Sequence, residues 1–326
     1  MEALTATTTN TLTSPDRLRE VTEAFINDQD VKANSKAVYK NNLGQFFSWV
    51  QGKGYSIDGL SRPDIIQYKT DLLKCGKSTL TVSGRLSAVR LFYEWAEGNK
   101  LYPNIARGVR APRRQDEIRK HPLTADQAKQ LCKYFEVTAT GTSNPEAVEP
   151  LNITHKRNFA LVNLILRTGM RTIEASRLNI DDINFSNGHR VIGIRGKGYD
   201  GVSRVIRLSD KAYKPIQDYL KYRGATTGPV FVSTSNNSAG ERLNTRTISG
   251  ICKQGMQAVG IDDRKFTAHS LRHSFAVIAI LEGATVEQVQ FDLGHTSPAT
   301  TQLYTKYIHQ QQRLENGAAM MLDNAF

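Results

Sequence analysis

Residues 183–208 read INFSNGHRVIGIRGKGYDGVSRVIRL, a strand-forming stretch inside a chain whose apolar periodicity is otherwise helical. Asn187-Gly188 is a strong hairpin signal, because both central residues of the tightest hairpin turn need positive φ. It predicts strands at Ile183–Phe185 and His189–Arg195. A second turn, Gly196-Lys197-Gly198, leads to a third strand at Ser203–Leu208. Consecutive strands joined by such short turns pair antiparallel.

Outward from this sheet the pattern turns helical. Downstream, helices fit Asp210–Tyr222, Thr245–Val259, Ser270–Glu282, Val286–Leu293 and Pro298–Ile308; upstream, an apolar helix covers His155–Leu166 and breaks at Thr168-Gly169. Thr124 with Gln127, and Thr285 with Gln288, have the spacing of a capping box, in which each end of the first turn bonds the other. Nearer the N-terminus, Tyr39, Leu43, Phe46 and Val50 recur at helical spacing, as do Val82, Leu86, Val89, Tyr93 and Ala96. Helices at Leu18–Asn27 and Pro63–Cys75 complete a bundle. The class is mainly α with a small antiparallel β-sheet, in two domains.

Between them, residues 103–122 carry Pro103, Pro112 and Pro122 with Arg107, Arg110, Arg113, Arg114, Arg119 and Lys120, and almost no period. That composition predicts an extended basic tether. The expected organisation is a disordered Thr-rich start at 1–14, a helical domain at 15–106, a linker at 107–122, a second domain at 123–308 and a tail helix at 309–326. The tail carries an apolar set, Leu314, Ala318, Ala319, Met320, Met321 and Leu322, with no obvious place in its own domain.

Length and charge agree with this plan. The 326 residues suit two domains, each with its own core. With 43 Lys+Arg against 31 Asp+Glu the net charge is +12, which suits a polyanionic partner because phosphate neutralisation releases counterions. No apolar run is long enough for a membrane helix, and the start lacks the charge and apolar run of a signal peptide. Cys75, Cys132 and Cys252 are scattered and odd in number, against a disulfide framework and in keeping with a reducing compartment.

Some chemistries are cheap to exclude. There is no Gly-rich phosphate loop and no nucleophile elbow. His269 and His273 stand one helical turn apart, but no partner glutamate or cysteine pair argues for zinc. What remains is a dispersed polar set: Arg171, Lys197, His269, Arg272, His273, His295 and Tyr304. Singly, each reads as an ordinary surface or core-edge residue. Together, two guanidinium forks can hold both non-bridging oxygens of one phosphate, imidazoles and a lysine can move protons, and a tyrosine can attack phosphorus.

Three segments carry a resemblance: Leu166-Arg-Thr-Gly-Met-Arg-Thr-Ile-Glu-Ala-Ser-Arg-Leu178, His269-Ser-Leu-Arg-His-Ser274, and Leu293-Gly-His-Thr-Ser-Pro-Ala-Thr-Thr-Gln-Leu-Tyr304. In order and spacing, over about residues 15–310, the sequence resembles the tyrosine recombinase family, the phage-integrase, Xer and Cre group. The resemblance implies an N-terminal helical core-binding (SAM-like) domain and an α+β catalytic domain. It implies that Tyr304 attacks a scissile DNA phosphate, leaving a 3′-phosphotyrosyl link and a free 5′-hydroxyl. Arg171 and Arg272 then clamp the phosphate, Lys197 is the general acid, His269 assists proton transfer and His295 supports the pocket. Glu174 is expected to orient Arg171, and His273 to pack or buttress. Tyr307 is a rival nucleophile that the motif register places second. Met170 and Thr172 stand where the family more often has leucine and a β-branched aliphatic residue.

The resemblance also implies a site-specific recombinase or integrase working through a Holliday junction without ATP, metal or other cofactor. Its partner would be double-stranded DNA with short inverted-repeat sites, bound by a homotetramer on two sites that is a monomer or weak dimer when free. The tail would be exchanged between protomers, the protein cytoplasmic and nucleoid-associated when bound, with no membrane role. Expected DNA contacts are Arg85 and Arg90 on one helix, Arg107, Arg110, Arg113 and Arg114 on the linker, and Arg246 and Lys253 on another helix. A relaxing topoisomerase with the same chemistry, or a catalytically silent DNA-binding protein on this fold, are the alternatives.

Overall fold

The computed structural model describes residues 15–113, 120–138, 148–195 and 201–317. The predicted disordered start at 1–14, linker cations Arg114 and Arg119, the hairpin lysine Lys197, and the tail from Ala318 onward lie outside these residues. The chain divides into two compact units, Met1–Gln115 and Asp116–Phe326.

The first unit is built from α1 (Pro15–Asp28), α2 (Ala33–Gly52), α3 (Arg62–Lys74) and α4 (Thr79–Gly98), with a 3-10 turn at Ile57–Gly59. Both predicted stripes face its core: Leu43, Phe46 and Val50 from α2, and Val82, Leu86, Val89, Tyr93 and Ala96 from α4, are buried. Ser61 and Asp64 close a capping box at the start of α3, and the Ser78 side chain accepts the Thr81 amide at the start of α4. Aromatic edges fill the middle, with Phe46 and Tyr68 centroids 5.1 Å apart. The stretch read as an extended tether begins as a turn at 105–108, and Ala106 and Val109 are buried in this same core. Arg107, between them, is exposed and pairs with Glu97, while the small apolar residues hold the chain down.

The second unit wraps helices around α6 (Val148–Thr168), whose Leu161, Val162, Leu164 and Ile165 are all fully buried. A helical stretch buried on every side, as residues 160–165 are, belongs at a domain's centre. It packs against α5 (Ala125–Thr138), α8 (Asp210–Arg223) and α10 (Ala268–Leu281). The sheet consists of β1 (Ile183–Ser186), β2 (His189–Arg195) and β3 (Val202–Arg207), antiparallel in the order β1-β2-β3. Ser186 faces His189 across the turn, where Asn187 and Gly188 have φ of 49° and 76° as the hairpin requires. Between α6 and the sheet lies a six-residue helix, α7 (Thr172–Arg177). The chain closes with α9 (Thr245–Ala258), α11 (Val286–Leu293) and α12 (Pro298–Glu315). Helix α12 continues without a break past Ile308, where the sequence pattern placed its end. No helix among the described residues is long and apolar enough to cross a membrane.

Candidate active site

The site assembles where α6, α7, α10, α11 and α12 meet. Helix α6 ends at Thr168 and the chain reverses at Gly169, φ +62°, a left-handed conformation that glycine adopts without strain. This turn delivers Arg171 to the N-terminus of α7, half-buried. Glu174, a turn later, accepts from the Arg171 backbone N–H (2.7 Å) and from its Nη1 (2.8 Å). Burial pushes the Glu174 carboxyl up, but hydrogen bonds and charge from Arg204 and then Arg171 outweigh that and hold it below the usual carboxylate range.

Arg272 comes from α10 and is 2% exposed. Its Nη1 donates to the Gly169 carbonyl (2.7 Å) and its Nη2 to the Leu293 carbonyl (2.6 Å), so the fork is fixed by backbone. Burial first, and then the nearby Arg171 charge, push its pKa down to about 10, which leaves it charged at neutral pH. His269 lies one turn before His273 on the same helix, ring centroids 4.4 Å apart and edge to face. His269 is exposed, yet protein crowding its ring, with the Arg272 and Arg171 charges, holds it below the ordinary histidine value.

Helix α11 ends at Gly294, φ +61°, and the next residue is His295. His295 Nδ1 is 2.9 Å from the buried Thr301 hydroxyl, and its ring stacks on Tyr304 at 16° with centroids 6.3 Å apart. Tyr304, on α12, is 2% exposed, and its hydroxyl lies 2.8 Å from His273 Nδ1. Burial raises the Tyr304 pKa, while the Arg272 and Arg171 charges pull it back. Burial dominates the two inner histidines, taking His273 down to about 3 and His295 to about 4. Both rings are therefore neutral at neutral pH. An open cavity beside Arg171 is lined also by His269, Arg272, Lys253 and Arg264.

Five of the six residues expected to carry the chemistry thus stand together: Arg171, His269, Arg272, His295 and Tyr304. Lys197 lies outside the described residues, between β2 and β3. Tyr307 packs half-buried against the same small core as Tyr304. One partner was not legible beforehand: Arg204, on β3, donates to both Glu174 oxygens. His273, expected to pack or buttress, contacts the tyrosine hydroxyl itself. For Arg204 the sequence offers no distinguishing signal, since the same short strand also carries Arg207.

The proposed DNA-contact residues are scattered. On α4, Arg90 is exposed, while Arg85 is half-buried with its charge acting on Tyr68. Arg107 pairs with Glu97, whereas Arg110 and Arg113 are exposed. Arg246 is exposed on α9, and Lys253 pairs with Asp262 at 3.3 Å.

Dispersed cations converging on one buried tyrosine suit phosphoryl transfer, and comparison with known proteins fits that chemistry. The phage integrase family model matches residues 121–311, more than half of the chain. The chain belongs to the phage integrase family. The family's N-terminal SAM-like domain matches residues 22–100. Tyrosine recombinase XerC of Roseiflexus castenholzii is 27% identical over 319 residues, covering 90% of each chain. Among solved structures, XerH site-specific recombinase bound to a palindromic difH substrate superposes with a TM-score of 0.72, at 20% identity, over 94% of this chain and 85% of that one. A lambda integrase tetramer bound to a Holliday junction gives 0.64 at 16% identity, over 88% and 76%. This member of the family is a tyrosine recombinase, an enzyme of site-specific DNA recombination.

Proposed function

We propose that this recombinase cuts and rejoins DNA through Tyr304. The Tyr304 oxygen attacks the scissile phosphorus, the bond to the 5′-oxygen breaks, and a 3′-phosphotyrosyl ester is left with a free 5′-hydroxyl. Lys197 protonates the departing 5′-oxygen. Arg171 and Arg272 neutralise the non-bridging oxygens, with His269 bonding the phosphate and His295 holding the tyrosine ring. Attack on the ester by the 5′-hydroxyl of another strand reverses the step. Exchange of one strand pair gives a Holliday junction, and exchange of the second resolves it. The energy of the broken bond stays in the tyrosyl ester, so the scheme calls on no ATP, and the charge stabilisation comes from fixed cations rather than a metal.

One observation carries this reading: the Tyr304 hydroxyl sits within reach of the Arg171 and Arg272 charges while bonded to a neutral imidazole. A tetramer on two short inverted-repeat sites, acting on DNA in the cytoplasm, follows from the same reading, and the lambda integrase tetramer supports it by fold.

The test uses a pool of nicked duplexes, drawn from random sequence and from the DNA flanking the gene, followed by denaturing electrophoresis. The expected result is a denaturant-resistant adduct formed by the unmodified chain and by Tyr307→Phe, and lost in Tyr304→Phe. An adduct that survives Tyr304→Phe overturns the assignment. Relaxation of plasmids without any captured site would move the reading to a topoisomerase.

A further inference from the structure

Arg204 of β3 is bonded to two of the segments that build the site. Its Nη1 and Nη2 donate to the two carboxylate oxygens of Glu174 (3.1 and 2.9 Å), and its Nε donates to the Asp292 carbonyl (2.9 Å). The side chains of Arg204 and Glu174 are only 7% and 1% exposed. Glu174 in turn holds Arg171 through backbone and guanidinium. Asp292 directly precedes Leu293, whose carbonyl receives Arg272 Nη2, and it lies three residues before His295. One guanidinium therefore ties the carboxylate behind one arginine to the turn behind the other.

Stability does not explain this arrangement. A buried ion pair loses hydration that its mutual attraction repays only in part, and an aliphatic residue of similar volume often serves the fold as well. Such a pair does fix geometry. The bidentate fork sets the plane of the carboxylate, and the third donor sets the height of the α11 terminus. The close approach at Gly294 agrees: a Cβ built there would lie 2.7 Å from Arg204 Nη1, so the turn is seated directly on this side chain.

We propose that Arg204 is a positioning residue for the phosphate clamp, setting Arg171 through Glu174 and the Leu293–His295 turn through the Asp292 carbonyl. The inference rests on Arg171 and Arg272 being the phosphate ligands, as read above. It also joins the clamp to β3, the strand that begins five residues after Lys197 in the sequence.

The electrostatics give the role a distinctive signature. Glu174 is faced by Arg171 from its own helix, by Arg204 from β3 and by the charge of Arg272 from α10. Asp292, beside Arg204, is raised by its own burial and lowered by Arg204. Removing the Arg204 charge leaves the burial of Glu174 in place with one direct partner fewer. Its carboxyl must then titrate higher, and protonation releases Arg171.

The test compares Arg204→Gln and Arg204→Lys with the unmodified chain on the nicked duplex enriched by covalent capture. Arg204→Gln should form adduct about 10- to 100-fold more slowly, the scale of a small misplacement of a catalytic group. Its deficit should widen as pH falls from about 8 to about 5.5, across the range a raised carboxyl enters. DNA affinity should be unchanged. Arg204→Lys should restore the pH profile, because the charge returns, while staying slower because one ammonium cannot reproduce the fork. In parallel, 13C NMR of side-chain carboxyls, with Glu174→Gln to assign the signal, should show the Glu174 midpoint moving up in Arg204→Gln. That readout needs no DNA. If the unmodified chain forms no adduct on any duplex, the Tyr304 reading fails while the titration still decides whether Arg204 governs Glu174. An unmoved Glu174 midpoint overturns the proposal. So does a loss of cleavage that tracks thermal stability and is not relieved by lysine.

Discussion

His273 Nδ1 lies 2.8 Å from the Tyr304 hydroxyl, a bond that joins α10 to α12 inside the site. A tyrosine oxygen that attacks phosphorus must shed its proton. The ring beside it is neutral, because burial, the neighbouring histidines and Arg272 all disfavour its charge. A DNA phosphate brings negative charge to the pocket and raises the ring's basicity when substrate is in place. His273→Phe keeps an aromatic ring and removes the nitrogen. It should slow adduct formation about 100-fold, the lower end of a proton-transfer contribution, with DNA affinity held. A single-turnover assay on nicked duplex measures this, and an unchanged rate would reduce His273 to packing.

The same histidines set an acid limit on the fold. His273 and His295 have folded values of about 3 and about 4, below the ordinary 6.5, so the unfolded chain binds their protons first. Stability is full above the unfolded value and is lost as pH falls from about 6.5 through the folded values of about 4 and about 3. The unfolding midpoint should therefore drop between pH of about 7 and about 5, a range above the ordinary carboxylate values. His273→Phe should flatten that drop, which calorimetry at the two pH values would show. An equal drop in both proteins would place the titration elsewhere.

What could be read from the sequence depended on how local each signal is. The stripes of α2 and α4 repeat over several turns, and Asn187-Gly188 needs only its own backbone, so those elements were legible. The six residues of α7 are too short to show a period. The end of α12 was misplaced because its last turns, Gln310 to Glu315, are solvent-exposed and carry no stripe to extend. The motif residues were legible as a set, with Glu174 beside Arg171, but the partners that reach them from distant segments were not. Arg204 meets Glu174 across 30 positions, and Arg272 meets the Gly169 carbonyl across 103. Spacing cannot report such meetings, since they exist only after α6, α10 and the sheet have packed. Ala106 and Val109 show the same limit, being isolated apolar residues among arginines.

Gly169 is where backbone shape and catalysis touch. Its φ is +62°, a Cβ there would lie 2.5 Å from Phe275 Cδ1 and 2.6 Å from Leu293 Cδ2, and its carbonyl receives Arg272. Gly169→Ala should cost about 1–3 kcal/mol, from left-handed strain and the shifts needed to relieve the overlap. Because Leu293 also receives Arg272, those shifts should disturb the clamp. Denaturant unfolding and adduct formation should therefore fall together, in contrast to His273→Phe, where only the second falls.

The arginines near the end of the first unit should behave differently from those of the site. Arg110 and Arg113 are exposed, and none of their side-chain nitrogens forms an ion pair among the described residues, while Arg107 is already paired with Glu97. If the exposed pair tracks the DNA backbone, Arg110→Gln and Arg113→Gln should each lower the slope of log affinity against log salt by about one, on every sequence alike. Arg107→Gln should change the slope less, because binding DNA through it would first cost the Glu97 contact. Arg171→Gln should leave most of the affinity and abolish the adduct, since its work falls in the transition state rather than in holding the duplex. Fluorescence anisotropy across a salt series separates these cases. A slope insensitive to Arg110 and Arg113 would remove that stretch from the DNA-binding surface and leave the net charge of +12 to be used elsewhere on the chain.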